Sequence, residues 1–199
     1  QSDWQKFFEV FIQSGAILAV VLMYWQYFIK HKTIQLNVFL SFLPTAIVGY
    51  FLFGTIKNVL FESTNLIVAA LFSVGAIFII LEYLVKEKKI VLHKSLLQIS
   101  WIDAVLIGSV QALAVLPGVS RAGAVIVVMM LLGYKREDSA VYSFLLAVPT
   151  ILAASALDFY KMSGQFAGIG QVQLYIIVGF IASFVTAYFS VKWVIGYLK

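Results

Sequence analysis

Long apolar runs, separated by short clusters of charge, constrain this chain more than any other feature. A helix needs about 20 apolar residues to cross about 30 Å of hydrocarbon. The runs that meet that length are Phe8 to Ile29, Leu36 to Phe53, Leu66 to Leu84, Ser139 to Leu157 and Val172 to Ile195. In lipid the backbone must satisfy its own hydrogen bonds, and these runs lack the two-residue alternation of barrel strands. They predict an all-α integral membrane protein with five membrane-crossing helices.

The composition excludes a soluble globule. The 199 residues are 62% hydrophobic and only 12% charged, against about 25% charged in a soluble domain. The net charge of +5 comes from basic residues clustered between apolar runs. That arrangement is how membrane topology is encoded, so we expect the bilayer and no nucleic acid as a partner. The absence of Cys excludes disulfides, Cys-ligated zinc and cysteine nucleophiles.

A sixth apolar region, Ile102 to Gly133, is too long for one crossing and is interrupted by Pro117-Gly118. As helices, its arms Ile102 to Leu116 and Arg121 to Gly133 would be about 22 and 20 Å long. Because neither arm crosses comfortably alone, the region predicts a re-entrant helical hairpin over residues 102–133. Two full crossings would leave the topology of the other spans unchanged, so arm length alone favours the hairpin.

The basic residues predict the orientation of the chain. If the hairpin does not cross, one face of the membrane is richer in basic residues than the other. That face holds Lys30, Lys32, Lys86, Lys88, Lys89, Lys94, Lys135, Arg136, Lys192 and Lys199. The positive-inside rule makes this face cytoplasmic, with the N-terminus outside and the C-terminus inside. We expect one polytopic membrane domain over residues 1–199. Ile17 to Val20 also resembles Ile151 to Ala154 on a span of opposite direction, which is typical of an inverted repeat or arises by chance in so apolar a chain.

The chemical centre of the sequence is the polar break at residues 116–123. Pro117 and Gly118 end one helix, and Ser120 is placed to N-cap the next, which leaves free backbone N–H groups at a positive helix end. Such an end binds anions, and an Arg beside it adds a planar fork for two phosphate oxygens. The candidate catalytic residues are Ser120 and Arg121. The candidate substrate- or phosphate-binding residues are Gly118, Ala122 and Gly123, with Glu9 and Gln13 on the first span.

Each of these residues also has a purely structural interpretation. Arg121 could form an ion pair or reach the interface, although the segment offers no acidic partner at its depth. Ser120 could be a helix cap only, and Asp103 is predicted to cap the first hairpin arm. Glu9 and Gln13, four residues apart on the first span, could line a shared cavity or have no role. The sequence has no His cluster or carboxylate pair with metal-ligand spacing, so no metal ligand is predicted.

Three segments resemble the undecaprenyl-pyrophosphate phosphatase family, the bacitracin-resistance membrane proteins. They are residues 8–20 (FEVFIQSGAILAV), 111–121 (QALAVLPGVSR) and 142–149 (YSFLLAVP). The resemblance runs in order through nearly the whole chain. It implies an inverted-repeat membrane fold with two re-entrant hairpins and a pocket that opens to the outer face of the bacterial inner (plasma) membrane.

The resemblance also implies a reaction, the hydrolysis of undecaprenyl pyrophosphate to the monophosphate that cell-wall synthesis reuses. It implies a divalent metal, commonly Mg²⁺, and a polyprenyl pyrophosphate lipid as the partner molecule, and it leaves a homodimer open. Ser120 and Arg121 match the phosphate-binding pair of the family. Glu9 and Gln13 match a recurrent Glu and Gln, onto which no catalytic role is carried.

The chain departs from the family pattern in two ways. Ala122 and Val125 stand where the family usually has Ser and Thr, so two hydroxyl groups are missing. The first hairpin of the family, which carries the expected metal ligands, is expected upstream of Gln1, so the chain is interpreted as a piece of a longer one. Two other functions stay open: a flippase or transporter of polyprenyl phosphate, and a pseudo-enzyme that binds the lipid pyrophosphate without cleaving it.

Overall fold

The computed structural model describes the backbone of residues 3–59, 64–162 and 172–198, and most side chains within these ranges. Its regular structure there is helical. The helices are α1 (Asp3–Lys30), α2 (Lys32–Val59), α3 (Thr64–Lys86), α4 (Trp101–Ala112), α5 (Arg121–Leu131), α6 (Arg136–Met162) and α7 (Val172–Leu198). Short 3-10 helices at Leu96–Gln98 and Leu113–Val115 flank α4.

In the described ranges, five helices are long and apolar enough to cross a membrane. They comprise Phe11–Lys30, Lys32–Phe51, Thr64–Lys86, Arg136–Leu157 and Leu174–Leu198. Each overlaps one of the spans expected from the sequence, so the prediction of an all-α membrane protein with five crossing helices is confirmed. Several of these spans end at a basic residue, because a charged side chain is costly inside hydrocarbon. The inverted repeat stays a prediction.

The chain divides into two compact units, one of Gln1–Tyr27 with Ala147–Leu198 and one of Phe28–Leu146. In the first unit, α1 and α7 are in direct backbone contact. A Cβ added at Gly15 would collide with the carbonyl oxygen of Phe180, and one at Gly179 would lie 2.8 Å from Ile12 Cγ2. Small residues let membrane helices approach closely, which strengthens van der Waals packing where lipid supplies no hydrophobic drive.

The second unit contains the interrupted apolar region, with α4 packed between α2 and α5, and α3 against α5. The two arms α4 and α5 have 12 and 11 residues, which makes them about 18 and 17 Å long. Both are too short to cross a bilayer of about 30 Å. Ile107, Val128 and Met129 on these arms are buried in the core.

The two ends of this region meet, which shows that the chain returns to the level at which it entered. The N–H groups of His93 and Lys94 each donate to the Gly133 carbonyl at 2.9 Å, and the Lys135 N–H donates to the Lys94 carbonyl at 3.0 Å. Residues before α4 are thus paired with residues after α5. Two full crossings would also return the chain to one level, so arm length decides: helices of 12 and 11 residues are too short to cross, and the predicted re-entrant hairpin is confirmed. We call residues 93–103 with 133–136 the hairpin mouth, and residues 113–123 the hairpin tip.

Candidate phosphate-binding site at the hairpin tip

At the hairpin tip, α4 ends in the 3-10 helix Leu113–Val115 and the chain turns through Pro117 and Gly118. Gly118 has φ +92°, a left-handed conformation that only glycine adopts without strain. A Cβ at this position would also lie 2.7 Å from the Ile67 carbonyl oxygen and 3.1 Å from Ala70 Cβ, both on α3. Glycine is therefore required twice, for the turn and for the close approach of α3.

Ser120 is the N-cap of α5, as predicted. Its Oγ accepts a hydrogen bond from the Gly123 N–H at 3.2 Å, and its carbonyl accepts the first helical bond from Ala124 at 2.8 Å. The N–H groups of Arg121 and Ala122 have no acceptor among the described residues. They lie at the positive end of the α5 dipole, where an anion is stabilised. Direct contact of Ser120 with phosphate stays a prediction.

The side chains of the first turn of α5 differ in exposure. Ala122 and Ser120 are exposed, Arg121 is half-buried, and Gly123 is buried. A Cβ on Gly123 would lie 3.0 Å from the ring of Phe78 on α3, so the close approach that this glycine permits is made by an aromatic side chain. The open surface of the tip is therefore at residues 120–122.

Arg121 forms neither an ion pair nor a side-chain hydrogen bond with the part of the chain that the structure describes, where the recorded salt bridge joins Arg136 Nη2 to Glu82 Oε1 at 2.8 Å. The ion-pair interpretation of Arg121 therefore has no support among these residues. A half-buried guanidinium without an acceptor in the described part of the chain retains its planar set of donors for an oxyanion.

The two missing hydroxyl groups lie in different environments. Ala122 is exposed at the tip, so a hydroxyl at this position would face the same space as the free N–H groups. Val125 is fully buried, with a relative exposure of 0%. Because position 125 is inside the fold, a Thr hydroxyl there would be buried, and a methyl group of Val125 takes its place.

Glu9 and Gln13 lie on α1, in the unit formed with α7. Gln13 is exposed, and the Glu9 side chain lies outside the described residues. Their role in a shared cavity stays a prediction. Within the described ranges, no three His, Cys, Asp or Glu side chains come together in a way that could hold a metal ion.

A row of buried polar contacts, not predicted from the sequence, joins α2 and α4. Asn37 Nδ2 donates to the Ile99 carbonyl at 2.9 Å, Ser41 Oγ to the Ala104 carbonyl at 2.6 Å, and Thr45 Oγ1 to the Gly108 carbonyl at 3.4 Å. Two further bonds complete the set, from Gln111 Nε2 to Thr45 Oγ1 at 2.8 Å and between Tyr142 Oη and Ser41 Oγ at 2.7 Å. We call these contacts the polar ladder. Its signal in the sequence is a polar residue at every fourth position of an otherwise apolar run.

The polar ladder gives the depth of the tip. Its contacts follow the same order along α2 and α4, so the two helices run parallel from the mouth inward. Thr45, which contacts the last turn of α4, lies about 20 Å along α2 from Lys32. The candidate span Lys32–Phe51 has 20 residues, or about 30 Å. The tip therefore lies beyond the midpoint of that span.

The hairpin mouth is closed by paired polar groups. Ser100 caps α4, its Oγ accepting from the Asp103 N–H at 3.1 Å, so the predicted capping role of Asp103 is confirmed as half of a capping box. Tyr134 Oη donates to Asp103 Oδ2 at 2.8 Å. Partial burial opposes ionisation of Asp103, but the hydrogen bonds from Tyr134 and Ser100, aided by the charge of Lys94, hold its pKa below the ordinary value. Burial first, and then Asp103, raise the pKa of Tyr134.

Comparison with known proteins agrees with this geometry. The family described as bacitracin resistance protein BacA matches residues 1–199. The chain is 38% identical over 205 residues to an undecaprenyl-diphosphatase of Aquifex aeolicus, covering 100% of this chain and 76% of that protein. It is 41% identical to one from Campylobacter hominis (96% and 74% covered) and 35% identical to one from Thermus thermophilus (100% and 74% covered). The chain belongs to the bacitracin resistance protein BacA family.

Proposed function

We propose that this protein is a membrane phosphatase that hydrolyses undecaprenyl pyrophosphate to undecaprenyl phosphate and inorganic phosphate. The observation that carries the proposal is Arg121 beside two N–H groups for which residues 3–59, 64–162 and 172–198 provide no acceptor, at the start of α5 inside an apolar hairpin. The relatives named undecaprenyl-diphosphatase, at 35 to 41% identity over nearly the full chain, support it. A pyrophosphate on a long apolar tail fits an anion site embedded in lipid.

In this reaction the oxygen of water bonds to the terminal phosphorus, and the bond from that phosphorus to the bridging oxygen breaks. The bridging oxygen leaves on the lipid as part of its monophosphate. Negative charge on the phosphoryl oxygens must be held throughout the transfer. The Arg121 fork and the N–H groups of Arg121 and Ala122 are donors of the right type, and the start of α5 fixes the direction of the N–H groups before the substrate arrives.

A divalent metal, proposed as Mg²⁺, follows from the family resemblance and would help to neutralise the pyrophosphate. The described residues do not fit a metal site, because they bring no three ligand side chains together. The contacts assigned to Arg121 and the α5 terminus are made by donors of the chain itself, and no step is assigned to the ion. Removal of divalent ions with EDTA is expected to stop phosphate release, and added Mg²⁺ to restore it.

We also propose that the site faces the outer side of the bacterial plasma membrane. Lys94, Lys135 and Arg136 belong to the hairpin mouth, and Lys32 begins the helix that runs parallel to α4. By the positive-inside rule this basic end is cytoplasmic. Since the tip lies past the midpoint of the candidate span Lys32–Phe51, the phosphate-binding groups are then nearer to the outer surface.

The test is phosphate release from undecaprenyl pyrophosphate by the purified protein in detergent. Arg121→Ala is expected to lower kcat/KM by at least about hundredfold, because the oxyanion loses its strongest donor. Leu131→Ala, an exposed change at the other end of α5, serves as the control and should retain wild-type turnover. Substrate binding without phosphate release, or full turnover by Arg121→Ala, would contradict the proposal.

A further inference from the structure

The polar ladder is a set of buried polar side chains to which the proposed phosphatase chemistry gives no role. Asn37, Ser41 and Thr45 are each buried to 8% exposure or less on the α2 face that contacts α4. Apolar side chains would fill the same space without the cost of desolvating polar groups. The presence of three hydrogen-bonding residues, spaced one helical turn apart, therefore calls for a role beyond filling the interface.

The acceptors of the polar ladder indicate what that role is. Asn37, Ser41 and Thr45 all donate to backbone carbonyl groups, of Ile99, Ala104 and Gly108. Apolar contacts between two helices are non-directional, so they select an axial position only through the shapes that pack together. A hydrogen bond to a backbone carbonyl is directional, so it holds the acceptor helix at one axial position and one rotation.

Ser41 also connects α2 and α4 to α6, through a hydrogen bond with Tyr142. A hydroxyl has one hydrogen, and that of Ser41 is used on the Ala104 carbonyl, so Tyr142 Oη is the donor in its bond to Ser41. Close packing holds α4 against α2 at the same height, since a Cβ on Gly108 would collide with the backbone of Ser41. The part of α4 between Ala104 and Gln111 is thus attached to a membrane-spanning helix by both bonds and steric contact.

The last contact of the polar ladder is the one nearest to the chemistry. Gln111, 1% exposed, donates to Thr45 Oγ1 in the final turn of α4, directly before the 3-10 helix that leads to Pro117 and Gly118. The contact of Asn37 with Ile99 lies at the opposite end, beside the hairpin mouth. Thr45 and Gln111 are therefore placed to hold the tip, whereas Asn37 holds the mouth.

We propose that Thr45 and Gln111 are positioning residues, which set the depth and orientation of the hairpin tip so that Arg121 and the free N–H groups of α5 meet the pyrophosphate. This proposal rests on the proposed function for its catalytic consequence. Its structural consequence, the placement of the tip, is independent of it.

The catalytic test compares two variants that each remove one polar side chain of the polar ladder; Thr45 takes part in two of its contacts and Asn37 in one. Thr45→Val is expected to lower kcat about tenfold, because small displacements of a catalytic group have large effects on rate, while KM changes less than twofold. Asn37→Leu, the matched control, is expected to lower the Tm comparably but to keep kcat within twofold of wild type. Thr45→Ser retains the hydroxyl and should restore most of the lost rate.

The structural test does not require hydrolysis. Since the sequence contains no Cys, Ala122→Cys places a single thiol at the exposed part of the tip. Its rate of labelling by a membrane-impermeant maleimide in intact liposomes is expected to change at least threefold when Thr45→Val is added, and less than that when Asn37→Leu is added.

The outcomes separate the two proposals. If the labelling rate changes as expected but no variant, nor the wild type, releases phosphate, the proposed function fails and the positioning role stands. If Thr45→Val leaves both kcat and the labelling rate unchanged, or if Asn37→Leu alters them as much, the polar ladder acts only through overall stability and the positioning proposal is overturned. A Thr45→Ser variant as impaired as Thr45→Val would also overturn it.

Discussion

The two ends of the re-entrant hairpin solve the same problem in opposite ways. Both lie next to lipid and contain helix ends whose polar backbone groups need partners. The tip reverses the chain between α4 and α5, and the mouth pairs the residues before α4 with those after α5. At the mouth, the polar groups find partners in the protein: the Gly133 carbonyl accepts two N–H groups, and Asp103 accepts from Tyr134 and Ser100. At the tip, the described residues offer Arg121 and the first N–H groups of α5 no partner.

This difference distinguishes polar groups that stabilise the fold from polar groups that are available to a ligand. Unpaired donors in an apolar setting cost free energy, so the pairing at the mouth is what stability alone would favour. The donors of the tip stay unpaired within the described ranges, and a ligand that supplies oxyanions would satisfy them. The mouth is accordingly expected to respond to mutation through stability, and the tip through activity.

The largest contrast is expected for the two arginines. Arg121→Lys at the tip should lower kcat/KM about hundredfold at nearly unchanged Tm, since an ammonium group lacks the planar fork that binds two oxygens. Arg136→Lys at the mouth should keep kcat/KM within about twofold, because its ion pair with Glu82 is exposed and contributes little. Phosphate release and thermal unfolding measured on both variants test this, and equal losses of activity would remove the distinction.

A smaller contrast is expected for the two glycines in left-handed conformation. Gly118 at the tip has φ +92° and Gly133 at the mouth has φ +89°. Alanine at either position should cost about 1 to 2 kcal/mol of backbone strain. At Gly118 the new Cβ would also be 2.7 Å from the Ile67 carbonyl oxygen, whereas at Gly133 the nearest atom, the Val91 carbonyl oxygen, is 3.3 Å away.

Gly118→Ala should therefore lower the Tm more than Gly133→Ala and also reduce phosphate release. The unfolding of both variants in detergent can be followed by the fluorescence of the native Trp residues. An equal loss of Tm in the two variants would show that α3 yields to the added methyl group, and that its approach does not fix the tip.

The smallest effect is expected for Tyr134→Phe, which removes the hydrogen bond to Asp103 at the mouth. We expect a loss of about 1 kcal/mol, since Asp103 is only partly buried, and turnover within about twofold of wild type. The pKa of Asp103 lies below its ordinary value of 3.8, so its ionised form stabilises the fold above that value, and this contribution is lost as the pH falls through the lowered pKa.

Measured as Tm from pH 6 to pH 3, the wild type should therefore lose more stability on acidification than Tyr134→Phe does. The control is Tyr83→Phe, a change of an exposed tyrosine that should follow the wild-type curve. Parallel curves for Tyr134→Phe and the wild type would mean that this hydrogen bond does not stabilise the carboxylate.

Much of the fold was accessible from the sequence because lipid imposes simple rules. A run of apolar residues must be a helix, its length decides whether it crosses, and Pro117-Gly118 must interrupt it. The cap at Ser120 follows from local chemistry in the same way. The polar ladder was missed because Asn37, Ser41 and Thr45 resemble isolated polar residues until α4 is placed beside them. The contact of Phe78 with Gly123 and the burial of Val125 could not be predicted either, since both depend on which helices pack against each other.

The sequence by itself determined the class of the protein, its five spans, its interrupted hairpin and the residues at the break, because these depend on local composition and on the thickness of a bilayer. Only the tertiary structure decided that the two arms return to one mouth, that the tip lies past the middle of the span Lys32–Phe51, and that Arg121 has no acceptor among the described residues. These properties depend on contacts such as Thr45 with Gly108 and Lys94 with Gly133, between residues distant in the chain. Such contacts are selected by the packing of helices against one another, which no local pattern records.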